Sequence, residues 1–242
     1  MGLRMDIGGT HNFRDVGGYP ARTGQTRHGQ LFRSDALSAL TAAGAAELAM
    51  LRIGVVVDLR SRLELRQDHS GVHLPGARWV HVPIQGGSQH SIVEGDGISL
   101  ERLYRQILID SAASVATAVT VIAESGSTPV LVNCTAGKDR TGLVVAVALE
   151  AAGVERDAVV ADYTQSALNL DGDWLDATMT RLVSNGVPIS PRLFEAIGGS
   201  PDHAMSRLLD WLDNAYGSAA GFLRAHEVPD ETIESLREKL VG

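Results

Sequence analysis

The segment Val130-Leu131-Val132-Asn133-Cys134-Thr135-Ala136-Gly137-Lys138-Asp139-Arg140-Thr141-Gly142 constrains this chain more than any other. The β-branched run after Pro129 reads as a buried parallel strand. The Val-, Ala- and Leu-rich stretch from Leu143 to Ala152 reads as a helix that stops at Gly153, a natural C-cap. A strand and a helix joined this tightly turn the connecting backbone N–H groups toward one spot at the helix N-terminus. Such a spot binds a dianion through those amides and the positive end of the helix dipole, and Arg140 adds a bidentate fork for two phosphate oxygens. The only cysteine of the chain stands at the mouth of this turn, in the pattern Cys-x5-Arg. A field that holds phosphate also favours thiolate over thiol, which supplies an anionic nucleophile at neutral pH.

A lone cysteine at a strand end is most often a small buried hydrophobe. Here Gly137, Lys138, Arg140 and Thr141 all fall where an anion loop needs them, so the cradle reading prevails. Its phosphate-binding residues are Thr135, Ala136, Gly137, Lys138, Asp139 and Arg140. The nucleotide-type loop Gly-x4-Gly-Lys-Ser/Thr is excluded, because Val132 stands five positions before Gly137 and Asp139 follows Lys138.

At 242 residues and 44% hydrophobic content, the chain can bury one substantial α/β core with a helical appendage. The reading is therefore a single domain over residues 1–242, with a helical lid insertion at about 170–198. A net charge of -8 argues against a general nucleic-acid binder, so attraction for phosphate must be local, from Lys138, Arg140 and Arg60. Met1 to Pro20 contains no apolar signal core and no run of about 18 apolar residues occurs, so no integral membrane segment and a cytoplasmic location are expected, with signal-free secretion left open. With one cysteine, no disulfide can form within the chain, and an oxidised Cys134 has no internal resolving partner. His69, His73 and His81 do not read as a metal site, since Gly71 and Pro75 break the helix that would align the first two. No metal and no cofactor are expected.

Strand-like runs at Gln30 to Arg33, Ile53 to Leu59, Arg78 to Pro83 and Pro129 to Cys134 alternate with helical patterns, as in a mostly parallel sheet flanked by helices. Helices are predicted at Thr41 to Leu51, capped by Thr41, at Leu100 to Glu124, and at Glu155 to Ala167. Further ones are predicted at Trp174 to Ser184, Pro191 to Ile197 and Pro201 to Tyr216, with a short pair ending at Leu240. Gln85 to Gly97, with four glycines and no periodicity, reads as a flexible loop. Trp174, Leu175, Met179, Leu182 and Val183 recur at helical spacing, either as the apolar underside of a lid or as ordinary core.

At the loop from Asn133 to Gly142 the chain resembles the cysteine-dependent protein tyrosine phosphatase superfamily, and within it a bacterial branch of dual-specificity and lipid phosphatase character. The resemblance extends to Asn12-Phe13-Arg14-Asp15-Val16-Gly17-Gly18-Tyr19, Arg33-Ser34-Asp35-Ala36-Leu37 and Val56-Val57-Asp58-Leu59-Arg60-Ser61. It continues through Asp162-Tyr163, Tyr216-Gly217-Ser218 and Gly221-Phe222-Leu223; Leu170 to Ile197 is the least similar stretch. One departure stands beside the nucleophile, where the superfamily has His and this chain has Asn133. Asn can donate and accept hydrogen bonds but carries no positive charge.

The resemblance implies a phosphomonoesterase fold with Cys134 as nucleophile and Arg140 on the equatorial oxygens. It places Thr141 where a hydroxyl assists departure of the sulfur; the alternative is a helix cap. No Trp-Pro-Asp acid loop exists, so the acid is sought among the aspartates. Asp139 comes first, being inside the cradle, with an N-terminal helix residue favoured by the dipole as the alternative. Asp58, at the end of the Val55 to Val57 strand, comes second. Arg60 either meets a second anionic group of the substrate or pairs with Asp58. Arg14, Asp15, Arg33 and Asp35 are expected to form a structural ion network. The expected partner is a phosphorylated substrate: phosphotyrosine or phosphoserine/threonine protein, phosphoinositide, or a small phosphorylated metabolite. A silent phosphate-binding protein is the third class.

Overall fold

In the computed structural model, which describes residues 3–67, 74, 76–86 and 99–242, the chain forms one six-stranded sheet. The strands are β1 (Leu3–Arg4), β2 (Arg14–Asp15), β3 (Leu31–Ser34), β4 (Val55–Asp58), β5 (Arg78–His81) and β6 (Val130–Asn133), in the order β1-β2-β3-β6-β4-β5. The first two pairings are antiparallel; β3, β6, β4 and β5 run parallel. The four strand-like runs in the sequence are these four parallel strands. Their last residues, Ser34, Asn133, Asp58 and His81, lie in register side by side, so the loops that follow gather at one edge. Ligands bind at that edge in open parallel sheets.

The helices are α1 (Ala42–Met50), α2 (Arg62–Gln67), α3 (Leu100–Asp110), α4 (Ala112–Glu124), α5 (Asp139–Ala152), α6 (Arg156–Leu170), α7 (Asp173–Ser184), α8 (Pro191–Gly198), α9 (Asp202–Tyr216), α10 (Ala219–Ala225) and α11 (Asp230–Leu240). Period-2 alternation splits β4 and β6 between two cores. Val55, Val57, Val130 and Val132 face one cluster with Tyr104, Val119, Leu143 and Leu208. Val56 and Leu131 face the other with Phe13, Phe32, Leu37 and Leu48. Helix α5 is buried almost all round. Its Leu143, Val144, Val147 and Leu149 each contribute about 1.5–3 kcal/mol by leaving water, which fixes the one helix whose N-terminus the site needs.

Thr41 caps α1 as expected, its side chain accepting from the Gly44 N–H. The helix predicted from Leu100 to Glu124 is instead two, α3 and α4, bent by 79°. Ser111 leaves helical geometry between them, and its hydroxyl accepts the Gln85 N–H at 3.0 Å. No Gly or Pro marks this corner, so apolar spacing alone reads straight through it. Among the described residues no single helix is long and apolar enough to cross a membrane.

Helices α7 and α8 form a hairpin with its own small core of Leu175, Leu182, Leu193 and Ile197, against which Trp174 and Met179 are packed. Val183, grouped with them by spacing, is instead exposed. Of the predicted loop Gln85 to Gly97, residues 87–97 lie outside the described residues, as do His69 and His73.

Candidate active site

The cradle forms as its sequence requires. Cys134 closes β6, is buried and is a free thiol. The chain then turns through Thr135 to Lys138 into α5. Gly137 sits at φ +64°, and a Cβ there would lie 2.4 Å from the Ser34 carbonyl, so only glycine lets the turn lie against the end of β3. Ala36 N–H donates to the Thr135 carbonyl at 3.1 Å, tying the two loops together.

The loop is held from outside, by Asn12, which the sequence reading placed only in a family motif, and by Arg33 of the expected ion network. Asn12 Nδ2 donates to the carbonyls of Ala136 and Gly137 at 3.0 and 3.1 Å, and Arg33 Nη2 donates to the same Gly137 carbonyl at 2.7 Å. Arg14 and Arg33 share the Asp162 carboxylate, which also accepts from Tyr19 Oη. Burial raises the pKa of Asp162, but Arg14 and Arg33 outweigh it and bring the value down to about 2. Burial and the neighbouring Arg33 lower Arg14 to about 10, against the pull of Asp162. The four-residue ion network expected at Arg14, Asp15, Arg33 and Asp35 is thus divided. Asp15 pairs with His28 and the Gly17 and Gly29 N–H groups, while Asp35 accepts from the His11 and Asn12 N–H groups. Burial raises the pKa of Asp35, with those two N–H groups opposing it.

Asn133 contributes none of this support. Its side chain is fully buried and neither Nδ2 nor Oδ1 has a hydrogen-bond partner among the described residues. Strand alternation puts it on the face opposite Cys134, level with Ser34 and Asp58. A buried polar group without a partner costs about 1–3 kcal/mol. Asn133→Leu, which keeps the branching at Cγ, is therefore expected to leave the unfolding free energy unchanged or raise it by about 1 kcal/mol in urea titration. A loss of more than about 1 kcal/mol would show that this amide has partners.

The main arginine is fixed by a residue that sequence reasoning missed. Ser61-Arg62-Leu63-Glu64 is a capping box for α2: Ser61 N–H donates to Glu64 Oε2 at 2.9 Å, and Glu64 N–H donates to Ser61 Oγ at 3.2 Å. The same carboxylate receives Arg140 Nη1 on Oε2 at 2.8 Å and Nη2 on Oε1 at 2.7 Å, and accepts from Thr135 Oγ1 at 2.6 Å. Burial raises the Glu64 pKa, but the Arg140 hydrogen bonds and charge prevail and hold it at about 2. Burial works against the charge on Arg140, but Glu64, Cys134 and Asp139 raise its pKa further. Arg140 Nε is buried and has no partner among the described residues, which leaves that donor to an anion in the cradle. The Ser-x-x-Glu spacing was the available signal.

Lys138 departs from expectation. Its side chain is 1% exposed, and Nζ donates to the carbonyls of Ala196 and Gly199 at 2.6 and 2.7 Å. Rather than adding charge to the rim, it caps the C-terminal end of α8, where a cation complements the helix dipole. Only its backbone belongs to the cradle. Thr141 is fully buried with Oγ1 unpartnered among the described residues, and no side chain caps α5, so its hydroxyl is not a helix cap. Asp139 is buried; its Oδ1 accepts from Tyr104 Oη at 2.6 Å and lies 3.4 Å from Lys138 Nζ.

Asp58 and Arg60 face each other. Arg60 Nη2 donates to Asp58 Oδ2 at 2.7 Å, and Nε and the Arg60 backbone N–H reach Oδ1, each at 3.0 Å. The pairing of Arg60 with Asp58 that the sequence allowed is therefore present. Asp58 pairs in register with Asn133, so strand alternation puts its side chain on the sheet face opposite Cys134. His81 Nε2 is engaged by the Arg60 carbonyl at 2.7 Å.

Known proteins resemble this chain over most of its length. A sequence model described as the tyrosine phosphatase family matches residues 5–242. The triple specificity protein phosphatase PtpB of Mycobacterium tuberculosis is 31% identical over 278 aligned residues, spanning 98% of this chain and 99% of the relative. A tyrosine-protein phosphatase of Nostoc commune is 31% identical over 145 residues, 59% of this chain and 49% of that protein. The crystal structure of TpbA from P. aeruginosa aligns with 77% of this chain and 90% of its own at 18% identity and a TM-score of 0.37.

Proposed function

This chain belongs to the tyrosine phosphatase family, and on that premise we propose that it hydrolyses phosphomonoesters through a phosphocysteine formed at Cys134. The observation that carries the reading is the joint placement of Cys134 and Arg140, with both Nη atoms of the arginine held by Glu64 and its Nε left open. The cradle amides from Thr135 to Arg140 and this guanidinium bind the equatorial oxygens as charge shifts in the transition state. The thiolate attacks phosphorus; the S–P bond forms as the P–O bond to the leaving group breaks. Asp139 donates its proton to the departing oxygen, then accepts one from the water that hydrolyses the phosphocysteine. The Thr141 hydroxyl hydrogen-bonds the leaving sulfur in that second step. No metal or cofactor enters the scheme.

The substrates we assign are phosphotyrosine and phosphoserine/threonine proteins and phosphoinositides, supported by the specificity in the name of the full-length mycobacterial relative. Turnover of phosphopeptides, of phosphoinositide vesicles and of nucleoside and sugar phosphates should be compared side by side. Hydrolysis of the first two at kcat/KM values well above the third is the expected pattern; efficient hydrolysis of small metabolites alone would replace this substrate class.

A further inference from the structure

All hydrogen-bonding contacts of the Asp139 carboxyl fall on one oxygen. Oδ1 receives Tyr104 Oη at 2.6 Å and faces Lys138 Nζ at 3.4 Å, whereas Oδ2 has no hydrogen-bond partner among the described residues. Tyr104, on α3, is itself fixed: its hydroxyl lies 2.8 Å from Tyr163 Oη on α6, and the two rings meet edge to face at 5.8 Å. A phenol carries one proton, so with that of Tyr104 directed at Asp139, Tyr163 is the donor in the second bond. The result is a chain of donors, Tyr163 to Tyr104 to Asp139, buried throughout. Burial, and then the Asp139 charge, raise the Tyr104 and Tyr163 pKa values, so both phenols stay protonated donors.

We propose that Tyr104 is a positioning residue of the phosphatase reaction, which fixes the rotation of the Asp139 carboxyl so that the transferable proton resides on Oδ2. Tyr104 touches neither phosphate nor leaving group and acts only through Asp139. The proposal rests on the acid role given to Asp139 above. The other charged groups around this carboxyl are Lys138 and Arg140 on the loop and first turn of α5, with Arg33 of β3 acting on Tyr163. None of them is altered by removing the Tyr104 hydroxyl.

The test is the pH profile of kcat for phenyl phosphate, a poor leaving group that needs an acid, in wild type, Tyr104→Phe, Tyr163→Phe and Asp139→Asn. A general acid must be protonated, so kcat falls as pH rises through the acid's titration. Tyr104→Phe removes a donor that favours the ionised carboxylate, so this alkaline limb should move upward by about one pH unit. Tyr163→Phe should move it the same way by less, and Asp139→Asn should abolish it. A merely structural tyrosine would lower kcat at every pH and leave the limb in place. If the limb vanishes in Asp139→Asn but that of Tyr104→Phe overlays wild type, the proposal is overturned while the acid assignment stands. If Asp139→Asn keeps the limb, the acid assignment itself fails, and the role of Tyr104 with it.

Discussion

Asp162→Asn should destabilise the fold by about 3–5 kcal/mol in urea unfolding, because it leaves two fully buried guanidiniums, Arg14 and Arg33, without the carboxylate they share. Against a typical stability of about 5–15 kcal/mol, that is a large fraction of the total. The cost follows from asymmetry: a paired buried charge is roughly neutral, an unpaired one is not. The pH dependence has a definite sign. The folded-state pKa of about 2 lies below the usual aspartate value of about 3.9, so this stabilisation is complete above about pH 4 and is lost as pH falls through about 2. A loss below about 1 kcal/mol in the variant would mean that the arginines find other acceptors.

Arg140→Lys is the second large effect. Lysine keeps the charge but has a single donor head, so it cannot serve both Glu64 oxygens and still offer a donor to the cradle. Losing a preorganised donor on developing charge typically costs about 10²–10³ in kcat. A fall in kcat/KM of that size, mainly in kcat, is expected for an aryl phosphate. A change confined to KM would assign Arg140 to ground-state binding only.

The four parallel strands were legible, β4 and β6 most plainly as short β-branched runs, whereas the two-residue antiparallel strands β1 and β2 are too short to show a pattern. The cradle was legible because Cys134, Gly137 and Arg140 are local in sequence. What was not legible lies in long-range pairing. Glu64 meets Arg140 across a separation of 76 residues, and Asn12 meets Gly137 across 125. The capping-box spacing at Ser61 marks the start of α2 without saying which arginine the carboxylate also holds. Lys138 looks like a rim charge in sequence because its neighbours are cradle residues; only the approach of α8 shows two carbonyls waiting for its ammonium. Asn133 stands beside Cys134 in sequence, yet strand alternation turns it to the other face, and Asn12 and Arg33 hold the loop.

Phosphate release from a generic aryl phosphate in the presence of EDTA, with Cys134→Ser as control, tests most directly whether Cys134 works without a metal. Sustained turnover in the wild type that vanishes in the serine variant is the predicted result. Turnover that survives the substitution, or that EDTA abolishes, would contradict it.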